Sequence, residues 1–193
     1  AVTNNILVSY GAQSKYGSEI PLTTIGITMK VNQIVSAVLL GLATGAQPIF
    51  GYNYGSGQKD RVKQAYRIIL TVSTMVLILA FLIFQFAPMS IVRLFGSESE
   101  LYNEFAVKCF RIFLLACPIN GLQMATGVFF QSIGKPTQAT VLSLSRQIVF
   151  LLPATILLPL ALGVEGALWA GPLADVLAFI TTLIMLKLYW RKI

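Results

Sequence analysis

Ile68 to Ala87 is a run of twenty residues with one strongly polar member, Gln85. At helical rise such a run is about 30 Å long, enough to cross the hydrocarbon core of a bilayer. Lipid offers the backbone no hydrogen-bond partners, so a spanning segment of this kind must satisfy its own N–H and C=O groups, as a helix does. The pattern recurs along the chain. Spans are expected over 16–47, 62–87, 102–133, 137–162 and 164–189, preceded by a partial one over 1–10 that reads as the last turns of a helix whose beginning is missing. Residues 1–193 are thus expected to form one all-α polytopic membrane lobe. Composition agrees: the chain is 56% hydrophobic and 11% charged, where a soluble domain carries about 25% charge. That excludes a disordered chain and argues against a soluble enzyme.

Proline and glycine punctuate these spans. Pro48 lacks an N–H and disfavours helix at Gln47, so the first complete span should end there. Gly41 and Gly45 lie inside that span, where small residues let a neighbouring helix approach. Gly51 and Gly55 fall in the expected turn, where glycine supplies left-handed backbone. The next helix should begin near Val62. Pro88 and Gly134-Lys135-Pro136 close later spans, and Met89 to Phe95 reads as a short helical turn at the interface.

The formal charge is +7 with no histidine. Topology explains this excess better than nucleic-acid binding, and no nucleic-acid partner is expected. Lys59, Arg61, Lys63, Arg67, Lys135, Lys187, Arg191 and Lys192 fall at one side. Lys15 and Arg93 fall at the other, among Glu19, Glu98, Glu100 and Glu165. Positive residues favour the cytoplasmic side, which puts the 51–60 turn and the C-terminus in the cytoplasm. The expected location is the cytoplasmic (inner) membrane. The end of the last span, Trp190-Arg191-Lys192, serves as an interfacial anchor. Cys109 and Cys117 lie about 12 Å apart on one helix, too far for a disulfide, and read as packing residues. No Cys or His pair has metal spacing and no phosphate loop is present, so neither a metal site, an enzyme nor an ATP-driven pump is expected.

Charges inside a span usually face a cavity, pair, or relay ions. Lys30 and Asp175 fall at similar depth, and two readings stay open: a buried pair, or positions along a solute or proton path. Gln33 is one turn from Lys30 and shares its face. Arg111, Asn120 and Gln123 form the expected polar side of the third complete span, where Pro118 should break the helix and free a carbonyl. Arg146 should sit near the cytoplasmic end and snorkel toward headgroups. The path candidates are therefore Lys30, Gln33, Asn120, Gln123 and Asp175.

The stretch Gly41-Leu42-x-x-Gly45-x-Gln47-Pro48-Ile49-x-Gly51-Tyr52-Asn53-Tyr54-Gly55, followed by Arg61-Val62-Lys63-x-Ala65, resembles the end of the eighth helix and the start of the ninth in multidrug and toxic compound extrusion (MATE) transporters. Phe130-Gln131-Ser132-Ile133-Gly134-Lys135-Pro136 resembles the exit from their tenth helix, and Gly166 to Asp175 the start of their twelfth. The resemblance covers nearly the whole chain. It implies a six-helix lobe of a twelve-helix inverted-V transporter, from a seventh-helix stub to the twelfth helix, with an N-terminal six-helix lobe as missing partner. It implies sodium- or proton-driven export of cationic or amphipathic drugs, with membrane lipid around the protein and no cofactor beyond the coupling ion. Gly41, Gly45, Gln47, Pro48, Gly51, Asn53 and Gly55 are then a structural signature. One departure stands out: Phe113 to Phe129 holds no Asp or Glu, where some members carry a cation-site acid. The competing readings are a lipid-linked saccharide flippase, which would present several arginines to a pyrophosphate, and a non-transporting membrane scaffold.

Overall fold

The computed structural model describes residues 2–96 and 99–190, and every described regular element is helical. Helix α1 covers Val2–Ala12, α2 Glu19–Gly45, α3 Gln47–Gly55, α4 Lys59–Phe86 and α5 Pro88–Phe95. After α6 (Glu100–Phe113) a 3₁₀ turn, Cys117–Ile119, leads into α7 (Asn120–Ser132). Helix α8 (Pro136–Leu144) passes through a π-helical stretch, Ser145–Leu151, into α9 (Leu152–Leu162), and α10 runs Val164–Trp190. Five helical stretches are long and apolar enough to cross a membrane: Glu19–Gly55, Lys59–Phe86, Glu100–Ser132, Pro136–Leu162 and Val164–Trp190. Glu98, Arg191 and Lys192, which enter the charge argument and the C-terminal anchor above, lie outside the described residues.

Burial ranks the spans. Half of the most apolar stretch of Glu100–Ser132 is buried, against 17% for Pro136–Leu162. The broken span α6–α7 is therefore the centre of the lobe, and its neighbours keep an apolar face outward, as lipid contact requires. Middle-level packing joins Leu39, Leu77, Phe84, Val92, Phe110 and Leu114. At one end, Phe50, Tyr66, Phe129, Phe130 and Leu142 form an aromatic-rich cluster against Trp190 and Tyr189. The Tyr66 hydroxyl meets the Thr126 hydroxyl there at 2.7 Å, which satisfies both buried polar groups. At the other end, Leu7, Tyr16, Ile25, Phe105, Cys109 and Leu168 pack together. Cys109 and Cys117 are both buried free thiols.

The glycine-rich stretch folds differently from its sequence expectation. Helix α2 does end at Gly45, but helix resumes at once at Gln47 and continues to Gly55. Pro48 lies in the first turn of α3, where no N–H is needed and its fixed φ favours helix. Gly51 and Gly55 are therefore helical, and the left-handed residue is Gly57, with φ +73°. Lys59, not Val62, opens the next helix. A Cβ at Gly51 would lie 3.4 Å from the Ser132 carbonyl oxygen, in ordinary contact with α7. Gly41 and Gly45 have open space beyond them, so among the described residues no neighbouring helix uses their stripe. A close helix crossing is at Gly166, where a Cβ would overlap the Leu158 backbone carbonyl.

Two breaks follow from proline. Pro118 stops the α ladder, so residues 114–119 pass through turn and 3₁₀ geometry before α7 starts. Pro153 lies in the first turn of α9, where it offers no N–H to the preceding turn, and the backbone before it is wound as a π-helix.

Candidate functional site

Both breaks pack against α10. Asn120 starts α7 just after the 3₁₀ turn. Arg146 sits in the π-helical stretch, and Asp175 lies three residues past Pro172 inside α10. The Arg146 guanidinium donates to Asp175 Oδ1 from Nε at 2.8 Å, and its Nη2 lies 2.6 Å from the same oxygen as an ion pair. Asn120 Nδ2 donates to Asp175 Oδ2 at 2.9 Å. The Asp175 side chain is 6% exposed and that of Arg146 28%. An unpaired carboxylate so buried would be costly, so the pair and the amide make its burial tolerable.

Two cavities meet at this cluster. One, of about 310 Å3, is lined by Asn32, Ser36, Leu77, Gln123, Met124 and Val128 among others. The second, of about 380 Å3, is lined by Met29, Gln33, Phe113, Leu151, Gly171 and Asp175 among others. They share Asn32, Cys117, Asn120, Arg146 and Gln147. Both fall at the small end of the range for drug-sized ligands, about 300–1,000 Å3. The walls mix apolar surface with amides and one guanidinium, a composition suited to amphipathic molecules. Gln123 Nε2 donates to the Leu142 carbonyl at 3.0 Å, which holds its amide against α8 and leaves its carbonyl oxygen as an acceptor.

The sequence candidates separate accordingly. Asn120 lines both cavities, Gln123 the first, and Gln33 and Asp175 the second. Lys30 lines neither and is exposed. The Lys30–Asp175 pair does not form, because Arg146 and Asn120 occupy both carboxylate oxygens. Helical phase explains Lys30's position: Met29, Asn32, Gln33 and Ser36 share the cavity face of α2, and Lys30 is about 100° round from Met29. Arg146 does not snorkel; it turns inward to Asp175. Arg111 also leaves the site: it lies in α6, before the break, and faces α4. There Gln85 Nε2 donates to the Arg111 carbonyl at 2.9 Å and Arg111 Nε to the Gln85 carbonyl at 3.2 Å. Of the signature residues, none lines either cavity. Asn53 is buried in α3, donating to the Ile49 carbonyl at 2.8 Å, while its Oδ1 has no partner among the described residues.

Asn32, Ser36, Arg146 and Gln147 are site residues that sequence reasoning missed. The signal for the first two was their spacing with Gln33 on one helix face. A second polar cluster, at the α1–α2 connection, ties the lobe together away from the cavities. Lys15 Nζ reaches Glu104 at 2.9 Å, Tyr16 donates to Glu104 at 2.8 Å, and Lys108 reaches Glu165 at 3.0 Å. The hydrogen bond to Glu104 holds the exposed Lys15 ammonium above its ordinary pKa of 10.5. Among the described residues no group of His, Cys, Asp and Glu is arranged to hold a metal ion.

A cavity set beside a broken span, in a lobe of this topology, has relatives. The model of one family, MatE, matches residues 6–157. The chain belongs to the MatE family. It is 35% identical to the MATE multidrug transporter DinF-BH, whose structure superposes with a TM-score of 0.78 over 90% of this chain and 39% of that one. A MatE-type fold is equally plain against an outward-facing multidrug resistance MATE family transporter of the MOP superfamily: TM-score 0.83 over 97% of this chain and 42% of that one, at 19% identity. In sequence the chain is 23% identical over 188 residues to the multidrug export protein MepA of Staphylococcus haemolyticus, covering 97% of itself and 39% of that protein. It is also 23% identical over 158 residues to a FAD transporter of Shewanella oneidensis, covering 81% of itself and 34% of that protein. The chain thus spans 34% to 42% of the length of these relatives. As a MatE-family chain it is an all-α membrane lobe of the twelve-helix fold.

Proposed function

We propose that this chain is the C-terminal six-helix lobe of a secondary active exporter, corresponding to helices seven to twelve, and that it works with a second six-helix lobe. The exported solutes are cationic or amphipathic drugs, and a sodium or proton gradient drives them out. The observation that carries this reading is the pair of adjoining cavities around Asn120, where apolar walls meet the amides of Asn32, Gln123 and Gln147. Membership of MatE, and likeness to a multidrug exporter over the whole chain, support the same reading. The exposed stripe of α2 that carries Lys30, Gly41 and Thr44 then faces the second lobe. Helix α2 is long and little buried in this lobe, which suits a helix that meets a partner.

In this reading Asp175 holds the cavity wall and does not relay protons, since both of its oxygens are engaged. The turn-side excess of Lys59, Arg61, Lys63 and Lys135 supports a cytoplasmic position for that end and for the C-terminus. The test is transport of a fluorescent cationic dye by the full protein containing this chain, reconstituted in vesicles, under a sodium gradient and a proton gradient separately. Gradient-dependent dye movement is expected. None under either gradient, from protein shown to be folded, would overturn the reading.

A further inference from the structure

The charge balance of the cavities points to a ligand group that the export of cations does not call for. Among the described residues lining the 310 Å3 cavity, the single formal charge is Arg146. The 380 Å3 cavity adds one acid, Asp175. That acid is closed to a ligand: Oδ1 accepts from Arg146 and Oδ2 accepts from Asn120, and the side chain is 6% exposed. The guanidinium is not closed. Of its five N–H donors, the hydrogen bond to Asp175 uses the one on Nε, while Nη2 is in ion-pair contact with the same oxygen. About a quarter of the side chain is open, and it borders both cavities. The free donors lie among the amides of Asn32, Asn120 and Gln147, each of which can donate to an oxygen.

We propose that Arg146 forms a subsite for an anionic oxygen group of the solute, a carboxylate or a phosphate. The planar guanidinium suits such groups because it offers parallel N–H donors. Asp175 acts as a positioning residue: it fixes the guanidinium plane on one edge and leaves the opposite edge to the ligand. The apolar walls around Leu39, Leu77, Met124 and Val128 would take the ring system attached to that group. The solutes favoured by this lobe are then amphipathic molecules with an acidic group, including zwitterions whose cationic part lies elsewhere. This subsite rests on the export reading above.

A matched dye pair tests it: a rhodamine with a free benzoate, which is a zwitterion at neutral pH, and the ethyl ester of the same dye, which is a cation. Binding of each to the full protein is followed by fluorescence polarisation. Wild type should bind the free acid about tenfold more tightly than the ester, the scale of one charge-assisted pair. The double variant Arg146→Gln with Asp175→Asn removes both charges but keeps amides that can bond to each other and to Asn120. In it the preference should fall toward parity. Wild type also gives a readout that needs no variant. Benzoate or phenyl phosphate should displace the free-acid dye, and the stronger of the two identifies the anion class. An unchanged acid-to-ester preference in the double variant, or displacement by neither anion, would overturn the subsite while leaving export intact. Failure of folded wild type to bind either dye would overturn the export reading and the subsite together.

Discussion

Arg146 Nε lies 2.8 Å from Asp175 Oδ1, although the two residues are 29 positions apart on different helices. The contact joins the π-helical stretch before α9 to the buried middle of α10, and Asn120 from α7 completes it. Three helices therefore depend on one carboxylate. Removing Asp175 strands a partly buried guanidinium, so Asp175→Ala should lower stability by about 3–5 kcal/mol. Arg146→Met in that background should restore part of the loss. Thermal unfolding of the purified protein in detergent measures both; an unchanged Asp175→Ala would contradict the role of the pair.

Lys30 is the contrasting case. It is exposed and makes no ion pair among the described residues. Lys30→Met should therefore leave the unfolding free energy within about 0.5 kcal/mol of wild type. A loss comparable with that of Asp175→Ala would mean that the two residues are coupled after all.

Gly166 marks a crossing that cannot widen cheaply. A Cβ there meets the backbone of Leu158 and Pro159, not a flexible side-chain end. Gly166→Ala should cost at least about 1–3 kcal/mol, the usual range for overpacking. Gly26→Ala is the control, since its Cβ meets open space within α2. That change should be neutral or stabilise by up to about 1 kcal/mol. Equal melting temperatures for the two variants would refute the crossing.

The Lys15–Glu104 contact carries a pH dependence. The pKa of Lys15 is raised in the folded protein, so its contribution is fully present below the ordinary lysine value. It is lost as pH rises through the raised value, above 10.5. The stability difference between wild type and Lys15→Met should hold steady from neutral pH upward and shrink only in that alkaline window. The difference will be small, because the pair is exposed. Shrinkage already near neutral pH would reject the assignment.

Gln13 and Ser56 lie in turns at opposite ends of the lobe, and both are exposed. With cysteine at either position, an impermeant maleimide should label the Ser56 site from the cytoplasm and the Gln13 site from outside. Labelling of both from one side would refute the spanning arrangement, and reversed sidedness would refute the orientation argued from charge.

Much of this was legible because proline and long apolar runs act locally. Pro118 and Pro136 each break or start a helix where the sequence says they should. Asn120, Gln123, Gln33 and Asp175 could be singled out because amides and acids are expensive in a span. What the sequence hid was rotational phase. Nearness to the cytoplasmic end of its span sends Arg146 to the headgroups on sequence alone, whereas it sits in the π-helical stretch and faces inward to Asp175. The same limit misplaced Lys30, whose depth in the span said nothing about its face. The signature glycines misled for another reason: a cluster of glycines beside a proline reads as a turn, yet proline at a helix start lets Gly51 and Gly55 continue as helix.

On the export proposal, solute passes through the cavity bounded by Asn32, Asn120 and Arg146. Ser36 lines it, and a cysteine there could carry a bulky maleimide into the space. Cys117 also lines the cavity, so the background must be Cys117→Ser. Gradient-driven dye transport by the full protein with Ser36→Cys should proceed before labelling and fall to the rate of protein-free vesicles after it. Undiminished transport by fully labelled protein, with the label confirmed by mass, would contradict the account.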